Sequence, residues 1–349
     1  MKLRMPRYFD AFRCAAGACP DTCCRDWEVA LDEDALRNYR QLEGPLGAAV
    51  RAAMAERDGE TVLALRGGLC PLLDTDGLCR IQRTLGEAHL CRACVQHPRF
   101  AEEYGALQEW CLSLACPETA RLLLAETEPM TFPEAVSDEP VHGCNDLDAR
   151  LFYALLTARR TAFTLAQDRS APWQTRLARV LDLAAAWQRA LDQHRLSRLD
   201  AVTARFAAGR FPPAAPGTRP EYARRLLARL EELEPINDAW AALLGTALAE
   251  ETPAGDFALE AEQLLVYGLY RYWLKAVTDR RLLPRVQLSA LLALWGRALA
   301  QGRSRAVQID RIHRLSRAVE HSPENLETVL RWCETDPDFS PAALTAAAW

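Results

Sequence analysis

Sulfur is where the chemistry of this 349-residue chain concentrates: ten of its twelve cysteines lie at or before position 116, with only Cys144 and Cys333 beyond. They fall into four groups. Cys14-x4-Cys19-x3-Cys23-Cys24 occupies a stretch with Gly17 and Pro20, where closely spaced thiolates meet on one centre at little cost in chain-closure entropy. Adjacent cysteines point in different directions, so Cys23 and Cys24 are expected to face two sites. Cys70 and Cys79 flank a reversal whose Asp and Gly residues suit a tight turn. Cys91-x2-Cys94, which continues into His97-Pro98-Arg99, has the spacing that brings two sulfurs to one metal. Cys116 stands at a predicted helix start with Pro117 in the first turn, and a helix N-terminus favours a thiolate there over Cys111.

Other uses of these cysteines fit less well. Disulfides persist in oxidising compartments, whereas the opening MKLRMPRYFDAF lacks the apolar region of a secretory signal. No apolar run reaches the roughly 18 residues of a membrane span. A cytoplasmic chain is the expectation, and there dense cysteine reads as ligation of zinc or of an iron–sulfur cluster. The CxxC pair lies in no βαβ pattern, which argues against a thioredoxin-like role. Neither His89 nor His97 has the second histidine of a zinc finger, Asp26 interrupts a CxxxCxxC motif begun by Cys19 and Cys23, and no GxGxxG is present. A net charge of −5 gives no electrostatic footprint for nucleic acid. Lys2 and Lys275 are the only lysines, which reads as a coding bias that also enriches alanine.

These groups need elements to hold them. Residues 1–125 combine the cysteines with many turn signals and read as a loop-rich module; 126–145, rich in Pro and acidic residues, reads as a linker; 146–349 reads as a helical domain. Leu151, Leu155 and Phe152 follow Asn145 as a possible cap, and Trp173, Leu177, Val180, Leu181, Ala184, Trp187 and Leu191 form the clearest amphipathic stripe. Further stripes follow Pro220 and run through 239–248, 257–277, 286–299, 307–319 and 326–332, the last after a Ser322-Pro323 cap. About seven helices and only two weak strand signals, at 27–31 and 61–65, make the fold class mainly α: a cysteine module followed by a multi-helix bundle. Tyr267, Tyr270, Tyr272 and Trp273 read as core. His313 and His321, near a helix end, read as partners of its last carbonyls.

The pattern resembles the flagellin lysine-N-methylase family. The resemblance begins at Pro6-Arg7-Tyr8 and runs through FRCAAGACPDTCCRDWEVALD, CPLLDTDGLCRI, CRACVQHPR and LSLACPETARLLL, then resumes at EQLLVYGLYRYWLKAV and AVEHSPENLE. Between about 150 and 250 the match is one of helical character. Cys14, Cys19, Cys23, Cys24, Cys70, Cys79, Cys94 and Cys116 fall on the pattern as candidate metal ligands, whereas Cys91 and Cys111 are least tied to it. The resemblance implies transfer of a methyl group from S-adenosylmethionine to lysines of flagellin, with a four-iron four-sulfur (4Fe-4S) cluster bound by cysteines. Eight candidates exceed the four that one cubane takes, which leaves a second site or surplus thiols open. Tyr270, Tyr272 and Glu320 are suspects for the general base. Single pieces of the pattern also resemble a broader cysteine-rich zinc- or iron-chelating family, so the alternative is a non-catalytic metal-binding protein.

Overall fold

The computed structural model describes residues 1–138, 147–212 and 220–348. Its strands are β1 (Lys2–Arg4), β2 (Val29–Ala30), β3 (Met54–Arg57), β4 (Glu60–Leu63), β5 (Arg99–Tyr104), β6 (Leu107–Leu112) and β7 (Glu134–Val136). The cysteine-rich part carries four short helices, α1 (Glu33–Gln41), α2 (Gly44–Ala53), α3 (Arg80–Leu85) and α4 (Arg92–Gln96), followed by α5 (Pro117–Leu124). The remainder is α6 (Ala149–Ala166), α7 (Trp173–Asp192), α8 (Leu199–Ala207), α9 (Pro220–Ala228), α10 (Asp238–Ala249), α11 (Ala258–Tyr272), α12 (Ala276–Asp279), α13 (Leu282–Ala300), α14 (Arg305–Glu320), α15 (Pro323–Thr335) and α16 (Pro341–Ala347). The chain is mainly α, as its periodicity implies.

Apolar burial sorts the chain into two cores. Val29, Tyr39, Val50, Leu63, Leu72, Ile81 and Cys91 close a small core inside the cysteine lobe. Most of the other buried apolar residues, from Tyr8 and Phe12 through Leu112 and Leu123 to Leu344, join one large core. The first dozen residues and 99–124 therefore pack with the helices. They do so through a sheet of order β5-β6-β1-β7, in which β1 runs parallel to β6 and antiparallel to β7. Part of the acidic, Pro-rich 126–145 stretch thus forms an edge strand, which its composition did not suggest. Asn145 and Cys144 lie outside the described residues.

The helix signals hold locally. The seven stripe residues of α7 are all buried, and Ser322 Oγ accepts from Asn325 N at 3.1 Å to cap α15. Asp148 caps α6 by accepting from Leu151 N. Asp32 caps α1 through Ala35 N at 3.1 Å while its other oxygen accepts from Arg92 N at 2.7 Å, so one carboxylate ties α1 to the helix of Cys94. These amides hold the Asp32 carboxyl below the ordinary range, that of Arg92 most strongly. At the centre of the bundle Gly268 lets α11 lie against α13, because a Cβ there would fall 2.8 Å from the Ser289 Cα.

Two charged groups lock the large core. Glu109 of β6 receives Arg4 at 2.9 Å and Arg159 of α6 at 2.7 Å, which joins the sheet to the bundle. Glu262 of α11, fully buried, receives Arg169 at 2.8 Å and also the buried Arg176. Removing one member of such a set strands a buried charge, a loss of about 3–5 kcal/mol. Glu262→Ala is therefore expected to destabilise the protein by that order, read as a lowered urea midpoint with little change in m.

Candidate functional site

All eight cysteines that fall on the sequence pattern line one cavity of about 430 Å³. They come from four separate stretches: the loop before β2, the Cys70–Cys79 reversal, α4, and the N-cap of α5. The cysteines act on one another electrostatically across these stretches. Cys14 and Cys116 act on Cys19 and Cys23; Cys24, Cys79 and Cys91 act on Cys70, and Cys24 also acts on Cys79 and Cys94. Cys23 and Cys24 hydrogen-bond each other, as do Cys91 and Cys94, so each pair favours a single thiolate, Cys24 and Cys91 being the members pulled down. Cys91, least tied to the pattern in sequence, packs directly behind Cys94 as part of the small core.

Burial dominates the remaining thiols. It pushes Cys70 up to about 11 and raises Cys19, Cys79 and Cys116. Cys116 does sit at the start of α5, and the amides of Thr119 and Glu118 do favour its thiolate, but desolvation outweighs them. The expected net lowering of its pKa does not occur. Cys111 lies apart, fully buried on β6 with the Arg271 guanidinium 3.9 Å from its sulfur. Among the described residues no three His, Cys, Asp or Glu side chains converge as they would on a single ion.

A second, polar cleft of about 300 Å³ abuts the thiol cavity, and Cys23, Trp27, His97 and Ala115 line both. One wall is Arg25, Asp26 and Trp27 of the cysteine lobe; another is Glu234–Ile236, ahead of α10; the third is Arg317 and the α14–α15 junction from His321 to Glu324. Long-range bonds assemble it. Arg317 donates to Asp21 at 2.6 Å and to the Arg25 carbonyl at 2.8 Å, and Asn237 donates to Asp26 at 2.8 Å. The Trp27 indole donates to the Cys23 carbonyl, its ring 5.9 Å from His97, which in turn lies 6.0 Å from His321.

His321 terminates α14, yet it does not serve the helix carbonyls: Ser113 Oγ lies 2.7 Å from its Nε2, and the ring lines the cleft. The residue is exposed on the side that faces the cleft. Desolvation lowers His97 and His321 to about 4, helped for His321 by Arg271 and Arg317, so both are neutral at pH 7. His313 is buried inside α14, 3.4 Å from Asp310 and 3.8 Å from Asp21, as a structural residue.

The suspected bases are enclosed. Glu320 Oε1 accepts from Tyr272 at 2.7 Å and from Tyr267 at 3.0 Å, with Arg271 at 3.3 Å. Tyr270 donates to the Arg4 carbonyl at 2.8 Å and stacks on Phe132. Burial raises all three tyrosines well above their ordinary range. This network is core, as is Trp273, whose indole donates to the Leu155 carbonyl. Sequence reasoning missed Trp27, Glu234, Arg317 and Glu324 as cleft residues; no local spacing marks them, since each arrives from a different element.

Two outcomes follow from this geometry. In the reduced, metal-free chain, exposed Cys14 is expected to be alkylated first and buried Cys111 and Cys333 last, by mass-spectrometric time course. A histidine held below its unfolded value of about 6.5 leaves the folded state intact above that pH, while below it the unfolded chain takes up the proton first. Stability should accordingly fall between about pH 6.5 and 4, and His97→Gln with His321→Gln should flatten that slope in urea titrations at successive pH values.

Comparison with known proteins adds to the geometry. Residues 159–346 match the FliB lysine N-methylase C-terminal domain. Flagellar biosynthetic protein FliU of Salmonella muenchen is 32% identical over 142 residues, 38% of this chain and 82% of that protein. The lysine-N-methylases of Salmonella choleraesuis and Salmonella typhimurium are each 32% identical over 37% of this chain, and the match spans 34% of either enzyme. No solved structure matches.

Proposed function

The chain belongs to the FliB lysine N-methylase family, and from that premise we propose that it transfers methyl groups from S-adenosylmethionine to lysine side chains of flagellin, with a cysteine-held 4Fe-4S cluster in its thiol cavity. The observation that carries the reading is the gathering of eight cysteines from four stretches round one cavity that shares a wall with a polar cleft. Thiolates are soft donors suited to iron–sulfur cores and to zinc. Cys24, Cys70, Cys79 and Cys94 are the ligands we favour, because Cys24 acts electrostatically on each of the other three and all four line the cavity.

Such a cluster supplies, when bound, a Lewis-acidic iron for the amino-acid end of the donor. The chain's own task is to present a neutral amine. An ammonium has no lone pair, and free lysine loses its proton only near pH 10.4. Enclosure beside Trp27 and two uncharged imidazoles disfavours the charged form, so the amine proton passes to water. The amine nitrogen then bonds to the methyl carbon as the sulfonium S–C bond breaks, and the thioether leaves as S-adenosylhomocysteine.

Anaerobic purification followed by iron and sulfide analysis, with labelled donor and purified flagellin, tests this. Bound iron with sulfide and donor-dependent lysine methylation are expected; a colourless zinc-containing chain inert toward the donor overturns the reading. Cys94→Ser is expected to lower iron per chain severalfold, and full iron content in that variant would remove Cys94 from the ligand set.

A further inference from the structure

Resting on that reading, we propose that the polar cleft, and not the thiol cavity, receives the substrate lysine side chain, with Glu234 and Glu324 as the carboxylates that draw its ammonium in. Both carboxylates are exposed at the cleft mouth on opposite walls, and Asp26 lies on the third. Among the described residues none of the three is in an ion pair; Asp26 accepts from the Asn237 amide and Glu324 from the Ser322 hydroxyl at 3.2 Å. The two cations of the cleft, Arg317 and Arg25, both turn to a single carboxylate, Asp21, at 2.6 and 3.6 Å. Counting Asp21 with them, the cleft stays net negative.

The thiol cavity differs in kind. Of its three carboxylates, Asp21 and Glu118 are already matched by Arg317 and Arg121. The third, Glu87, is in no ion pair among the described residues, but Arg13 and Arg99 on the same lining offset it, so the larger unmatched negative charge lies at the cleft rim. Behind the rim, Pro235 and Ile236 offer apolar surface for a four-carbon stem, and Trp27 encloses its end. The neutral His97 and His321 add no opposing charge. The stem then ends against Trp27 and His97, on the wall shared with the cysteines.

The test uses the anaerobically prepared full chain and a Glu234→Gln, Glu324→Gln double variant, both positions exposed. A lysine peptide, the same peptide acetylated on its lysine, and S-adenosylmethionine serve as binding probes, and flagellin methylation supplies KM and kcat. Two exposed charges lost should raise KM, and weaken the lysine peptide, by roughly tenfold at low ionic strength and less at high salt. Donor affinity and kcat should not change, and the acetylated peptide should bind poorly to either protein. Methylation with unaltered KM, equal binding of the acetylated peptide, or a loss confined to the donor overturns the cleft assignment while leaving the methylase reading intact. Carboxylate-dependent peptide binding by a chain that transfers no methyl does the reverse. No binding of the peptide by the unaltered protein overturns both.

Discussion

The Arg317–Asp21 ion pair is the contact on which the site's architecture depends. Asp21 belongs to the loop that carries Cys19, Cys23 and Cys24, and Arg317 projects from the last turns of α14 in the large core. Both side chains are nearly buried, so their attraction is less screened than that of a surface pair. The same guanidinium also donates to the Arg25 carbonyl, which fixes the backbone leading to Asp26 and Trp27. Without this anchor the cysteine lobe, whose own core is small, would meet the bundle mainly through Asn237 and the sheet, and the cleft between them would lose one wall.

A division of electrostatic labour runs across the shared wall. On one side, desolvation disfavours the thiolates of the partly buried Cys19, Cys70, Cys79 and Cys116, an environment that a cationic centre would reverse by holding thiolates. On the other, carboxylates remain unmatched at the rim while the histidines behind them are kept uncharged by the protein around them. The Tyr267–Tyr272–Glu320–Arg271 network beneath His321 is internally satisfied. It supports the end of α14, and thereby the positions of Arg317 and His321, without opening to the cleft.

Legibility in the sequence followed the range of the interaction. The α7 stripe, the Ser322 cap and the Cys116–Pro117 helix start depend on neighbours within a few residues, and each is found where spacing places it. The four-stranded sheet was not legible, because β1 and β7 are three residues each and pair across more than a hundred residues of chain. His321 was misread for the same reason: its helix-end position suggests a carbonyl partner, whereas Ser113, 208 residues away, supplies the one it has.

The residues by themselves determined the mainly α class and the clustering of candidate sulfur ligands, since helix periodicity and closely spaced cysteines are written in local order. Only the tertiary structure decided that those sulfurs share one cavity, that burial outweighs a helix N-terminus at Cys116, and that Trp27, His97, Glu234, Arg317 and Glu324 meet. Desolvation and convergence depend on what packs around a group from every side, and that is a property of the folded chain, not of its neighbours in sequence.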